Sequence, residues 1–185
     1  WHQGLDIAIE ALARVKQEVP NAELHLYGGG NIQGDLARLA KQLNLNDSVK
    51  FCGSVPHDEV AGVIANADIG IVPKRSDSFG NEAYSTKIME FMSQGVPMVV
   101  SRTKIDLFYF DDSVVKFFES GNAEAMADAM LQVIKSPALR DALIAKGFEY
   151  VARHSWDHKR NEYLDLVDSL VTGSVIEPSP GKGEN

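Results

Sequence analysis

Two glutamates, Glu82 and Glu90, stand with seven residues between them inside the stretch 79–100, FGNEAYSTKIMEFMSQGVPMVV. A turn rich in Gly, Asn and Ser that feeds a helix offers backbone N–H groups to a phosphate. A carboxylate one or two helical turns further on reaches sugar hydroxyls. Together these features point to a site for a nucleotide joined to a sugar. Glu90 is flanked by Ile88, Met89, Phe91 and Met92. Its carboxylate is therefore expected to be shielded from bulk water, where a hydrogen-bonding diol would offset the cost of burial.

Further groups fit the same chemistry. Lys74 and Arg75 precede Ser76-Asp77-Ser78-Phe79-Gly80, and two cations near a glycine turn could neutralise a diphosphate. They could equally be solvated loop charges. Lys87 falls in the first turn of the expected helix, where the helix dipole disfavours a cation. A phosphate, a salt bridge or exposure to solvent would each relieve that conflict. Gly28-Gly29-Gly30 allows a ligand close to backbone, or serves only as a flexible connector. It is not a G-x-G-x-x-G fingerprint, so a nicotinamide site is not indicated. Gly53-Ser54-Val55 could pair main-chain groups with a nucleobase edge, or be an ordinary loop. The five histidines, His2, His25, His57, His154 and His158, show no metal-ligand spacing. No metal residues are assigned. The sequence has no nucleophile elbow and no Walker loop.

The elements that must position these residues alternate. Helical periodicity covers 5–16, 33–43, 57–66, 84–93 and, with breaks at Ser136-Pro137 and His154-Ser155, 123–170. Strands are expected at 23–27, 49–52, 69–72, 97–101 and 114–117, with 102–113 irregular. Strands alternating with helices specify an α/β fold, a Rossmann-like parallel sheet with helices on both faces and a helical C-terminal segment. Ligands bind such sheets beyond the carboxyl ends of the strands. Residues 28–30, 53–56, 73–84 and 101–106 all follow strands and are expected to border one crevice.

The bulk properties narrow the field. The 185 residues fit one domain, with 44% apolar and 24% charged residues. A net charge of −8 and a pI near 5.1 argue against a nucleic-acid surface. No run is long and apolar enough to span a membrane, and no signal peptide is evident. The lone Cys52, within an expected strand, reads as a small buried hydrophobe. The absence of disulfides permits a reducing cytoplasm. The start at Trp1, without Met, reads as a fragment of a longer protein. Residues 1–172 are expected to form a nucleotide-sugar-binding domain truncated at its N-terminus, and the Gly/Pro/Ser-rich 173–185 a disordered tail.

The residues also resemble the donor-binding signature of family 4 glycosyltransferases of the GT-B fold. E-AYSTKIM-E-FMSQGVPMVVS is similar to that family's two glutamates with seven residues between them, followed by G-x-P-V-V. GLDIAIEALARVKQEVPNAELHLYGGG, VKFCGSV, IANADIGIVP and HSWDHKRNEYLDLV resemble its other segments in order, over residues 3–170. The resemblance implies the C-terminal donor-binding half of a two-domain retaining glycosyltransferase. It also implies no required metal, no cofactor beyond the nucleotide-sugar substrate, and an acceptor domain elsewhere in the same protein. Glu90 would hold the ribose and Glu82, the catalytic candidate, would sit near the donor sugar. Backbone N–H groups of Gly80, Asn81, Glu82 and Ala83 would face sugar and diphosphate, and Gly53, Ser54 and Val55 the base. Peripheral membrane association of the full-length protein and a role in cell-surface glycan synthesis are further expectations. The basic residue that commonly precedes the first helix's glycine is Gln3 here, and the domain's first strand is expected to lie outside this sequence. An epimerase or phosphorylase on the same fold, and a non-catalytic assembly module, are the alternatives.

Overall fold

The computed structural model describes residues 3–172; the tail expected at 173–185 lies outside them. The chain divides into two compact units, with the break between Phe148 and Glu149. The first unit opens with α1 (Leu5–Glu18), β1 (Leu24–Tyr27), α2 (Gln33–Gln42) and β2 (Val49–Gly53). A 3₁₀ turn (His57–Glu59), α3 (Val60–Ala65), β3 (Gly70–Val72), α4 (Thr86–Ser93) and β4 (Met98–Ser101) follow. Then come α5 (Lys104–Tyr109), β5 (Lys116–Phe118), α6 (Ala123–Lys135), α7 (Pro137–His154) and α8 (Trp156–Thr172). α7 crosses the break between the units. α8 has no buried residue, and Trp156, Tyr163, Leu170 and Val171 are exposed on it.

All strand pairs are parallel, as the alternation predicts. They form two sheets, β1-β2 and β3-β4-β5, and no strand among the described residues pairs with both β1 and β3. Sequence alternation specifies parallel pairing but not which strands are neighbours. β4 is buried throughout. Its Val99 belongs to a core with Leu12 and Val15 of α1 and Met126 and Ala127 of α6. Met98, on the other face, lies with Phe91 of α4 against Gly70, where a Cβ would overlap both side chains. The three-stranded sheet is thus covered on both faces, as parallel sheets usually are.

The two-stranded sheet differs. Leu24 and Val49 are buried in the core, while His25, Tyr27 and Cys52 are exposed. Side chains alternate with a period of two, so Cys52 shares the outward face of Lys50. The expectation of a buried Cys52 is therefore corrected. The stretch 102–113 is also more regular than its sequence suggests, because it contains α5. Thr103 caps that helix by accepting from the Asp106 N–H.

Gly4 sets the start of α1. Its φ is 63°, and a Cβ there would overlap the carbonyl of Pro73. Only glycine lets the helix begin against the chain leaving β3.

Candidate functional site

The connection from β3 to α4 carries most of the candidate residues, and side-chain bonds shape it. Asp77 Oδ1 accepts from the N–H groups of Phe79 (3.1 Å) and Gly80 (2.7 Å). The Asn81 N–H donates to the Asp77 carbonyl (3.0 Å), and those of Glu82 and Ala83 to the Phe79 carbonyl (3.1 and 2.9 Å). The four N–H groups from Gly80 to Ala83, expected to face a ligand, are therefore turned into the loop. Gly80 is required because a Cβ would overlap the Arg75 carbonyl.

The first turn of α4 is open by contrast. Ser85, at its N-cap position, makes no side-chain cap. The N–H groups that begin a helix have no partner within it, and here they belong to Thr86 and Lys87. Lys87 is exposed and has no ion pair among the described residues. Glu82 stands four residues before this helix and Glu90 within it. Both are exposed, which corrects the expectation that the Glu90 carboxylate is shielded. Ile88 and Met92, one turn apart, form the buried stripe of α4. Glu90, midway between them in sequence, falls on the outward side. The Glu82 carboxylate lies 3.4 Å from Lys104 Nζ, both side chains being largely in solvent.

Lys74 and Arg75 are not solvated loop charges. Lys74 is 5% exposed. Its Nζ donates to the Ala83 carbonyl (2.6 Å) and to Asp106 Oδ1 (3.1 Å), and lies 2.9 Å from Oδ2. Asp106 is wholly buried and also accepts from the Thr103 hydroxyl (2.6 Å). Arg75 pairs with Asp6 in the first turn of α1. Ser120, after β5, donates from its hydroxyl to the Lys74 carbonyl (2.9 Å) and accepts from the Ser76 N–H (2.8 Å). Asn81 accepts from the N–H groups of Lys104 at its side chain (2.9 Å) and Ile105 at its carbonyl (3.1 Å). Residues 73–84 and 101–106 are thus brought together.

The other candidates meet at the end of the two-stranded sheet. The Gly28 N–H donates to the Gly53 carbonyl (2.6 Å), and both glycines have positive φ, 106° and 68°. A Cβ at Gly28, Gly29, Gly30 or Gly53 would meet no atom within 4 Å. Gly29 and Ser54 are exposed, and Val55 is half-buried beside them in sequence. The Tyr27 phenol is pushed above its ordinary range by desolvation and, next, by Cys52.

Asp77, Thr103, Lys104, Asp106 and Ser120 were not singled out from the sequence. Two local signals were available: Asp77 three residues before Gly80, and the capping pattern Thr103-x-x-Asp106. Nothing local indicates the pairing of Lys74 with Asp106. Among the described residues, no group of three or more His, Cys, Asp or Glu could hold a metal ion. No described helix is long and apolar enough to cross a membrane.

Parallel strands each followed by a helix, with exposed Glu82 before α4 and exposed Glu90 on it, define an α/β domain whose candidate residues lie at the carboxyl ends of its strands. The chain belongs to the family described as glycosyl transferases group 1, which matches residues 1–150. It is 26% identical over 180 residues to a phosphatidyl-myo-inositol mannosyltransferase of Mycobacterium leprae, covering 95% of this chain and 46% of the relative. It is 28% identical over 169 residues to the lipopolysaccharide core biosynthesis glycosyltransferase LpsE of Rhizobium meliloti, covering 90% and 46%. The chain thus spans about half the length of these relatives. Among solved structures it is similar to HepE of Anabaena in complex with UDP, with a TM-score of 0.80 and 18% identity over 91% of this chain and 46% of that one. That likeness bears out the α/β, Rossmann-like, GT-B reading of the fold.

Proposed function

We propose that this chain is the nucleotide-sugar donor-binding part of a retaining, metal-independent glycosyltransferase. The whole protein transfers a sugar to an acceptor hydroxyl in cell-surface glycan synthesis, in the cytoplasm, and a further domain of the same protein holds the acceptor. One observation carries this reading: two exposed carboxylates, Glu82 and Glu90, flank the uncapped first turn of α4 within the matched family region. A helix start favours an anion through its N–H groups and dipole, and exposed Lys87 adds a positive charge. Glu90, just over one turn along, holds the ribose diol. Glu82, before the helix, lies by the sugar. The open glycine turns at Gly28 and Gly53 leave room for a base. The relatives, a phosphatidyl-myo-inositol mannosyltransferase and a lipopolysaccharide core biosynthesis glycosyltransferase, favour a cell-surface acceptor. HepE, solved with UDP, favours a nucleoside diphosphate donor.

Calorimetry of this chain with UDP and GDP tests the reading. Binding of one of them, weakened about 10- to 150-fold in Glu90→Ala, is the expected result for loss of charged hydrogen bonds of about 1.5–3 kcal/mol. Absence of both heat and a melting shift with either nucleotide overturns it.

A further inference from the structure

We infer that Lys74 is a positioning residue: its buried ion pair with Asp106 clamps the loop that carries Glu82 to α5 and so fixes the approach to α4. An ammonium group has three protons to donate. At Lys74 the partners within reach are three oxygens: the Ala83 carbonyl at 2.6 Å and the two Asp106 carboxylate oxygens at 3.1 and 2.9 Å. Two hydrogen bonds, to the Ala83 carbonyl and Asp106 Oδ1, and the ion-pair contact with Oδ2 commit the group inside the protein. A phosphate could take it only by displacing one of these partners.

The bonds lie where the loop needs them. The connection between β3 and α4 has no helix or strand of its own. Ala83 sits between Glu82 and the start of α4, and Lys74 donates to its carbonyl. The counter-charge comes from α5, where Asp106 is held in turn by the Thr103 hydroxyl at 2.6 Å. Asn81 adds a second tie to the same helix through Lys104 and Ile105. A buried ion pair contributes little net stability compared with an apolar pair, yet it tolerates loss of one partner poorly. Its use here is to select one arrangement of an otherwise irregular loop.

The donor arm of the test rests on the function proposed above; the exchange arm does not. In Lys74→Met, an unpaired Asp106 remains buried, and the melting temperature of this chain falls by about 10 °C or more. The double variant Lys74→Met/Asp106→Asn removes both charges while keeping an acceptor for Thr103, and it regains most of that loss. Amide hydrogen exchange without ligand then separates filling from clamping. In the double variant the amides of Gly80–Ala83 exchange about tenfold or more faster than in the parent chain, while those of β4 are unchanged. UDP or GDP affinity stays reduced in the recovered double variant. If loop exchange in the double variant equals that of the parent, the clamp is refuted. If the parent binds neither nucleotide but the loop still loosens, the donor reading fails and the clamp stands.

Discussion

The two sheets end in contrasting ways. At the end of β1-β2 the chain turns on glycines with nothing packed over them, and one backbone bond, Gly28 to Gly53, joins the two exits. At the end of β3-β4-β5 three exits are cross-tied by Lys74–Asp106, Asn81–Lys104 and Ser120–Lys74. Both carry candidate binding residues. One is open backbone that a flat ligand can approach. The other is a fixed rim on which Lys74 and Asp106 are buried and committed while Glu82 and Lys104 lie largely in solvent. The loops that follow the strands thus have different mechanical roles, and the difference lies in which side chains from neighbouring connections reach them.

The largest test of this contrast sets one lysine against another. Lys74→Met should cost about 3–5 kcal/mol, because it strands a buried carboxylate. Lys50→Met, near the start of β2 in the two-stranded sheet, breaks only a 3.8 Å contact with Glu23 between half-exposed side chains, and should change stability by no more than about 1 kcal/mol. Urea denaturation of both variants gives the comparison. Equal costs would mean that the buried Lys74–Asp106 pair is no more committed than an ion pair at the surface.

Glycines provide the next test. Gly80→Ala places a Cβ on the Arg75 carbonyl, backbone that cannot move aside freely, and should cost about 3 kcal/mol. Gly29→Ala meets no atom within 4 Å and should stay within about 0.5 kcal/mol of the parent. A Gly29 variant as damaged as the Gly80 one would show that the open end is packed in solution. Thr103→Ala comes third. It removes the cap of α5 and a donor to Asp106, at a cost of about 1–2 kcal/mol, and Thr103→Ser should recover most of it. Thermal melts would detect both changes.

These residues also mark where sequence reading succeeds and stops. α1, α2 and α6 were legible because each repeats apolar residues every three or four positions over ten or more residues. β3 and β4 were legible as short apolar runs between turn residues. α5 was not: it is six residues long, and its Leu107, Phe108 and Tyr109 are consecutive and exposed, so no apolar stripe marks it. The place of Glu82 and Glu90 was legible from their spacing around a helix start. The exposure of Glu90 required the phase of the helix, which Ile88 and Met92 set. The Lys74–Asp106 pair joins residues 32 apart in sequence through the fold alone, so Lys74 read as a loop cation like any other.

The smallest expected effect is at Glu82 and Lys104, and it sharpens the contrast from within the tied end. Their side chains are 67% and 77% exposed, 3.4 Å apart. A double-mutant cycle with Glu82→Gln and Lys104→Gln should give a coupling below about 1 kcal/mol, fading as salt is raised. The rim would then be rigid beneath and loose above: Ala83, one residue on, is gripped by a buried ammonium, while the Glu82 carboxylate is held only by a contact that water competes for. A carboxylate meant to exchange a protein partner for sugar hydroxyls should be held in this way, since a strong ion pair would have to be broken at each binding event. A coupling of several kcal/mol, insensitive to salt, would place Glu82 with the structural charges and remove it from the ligand-facing set.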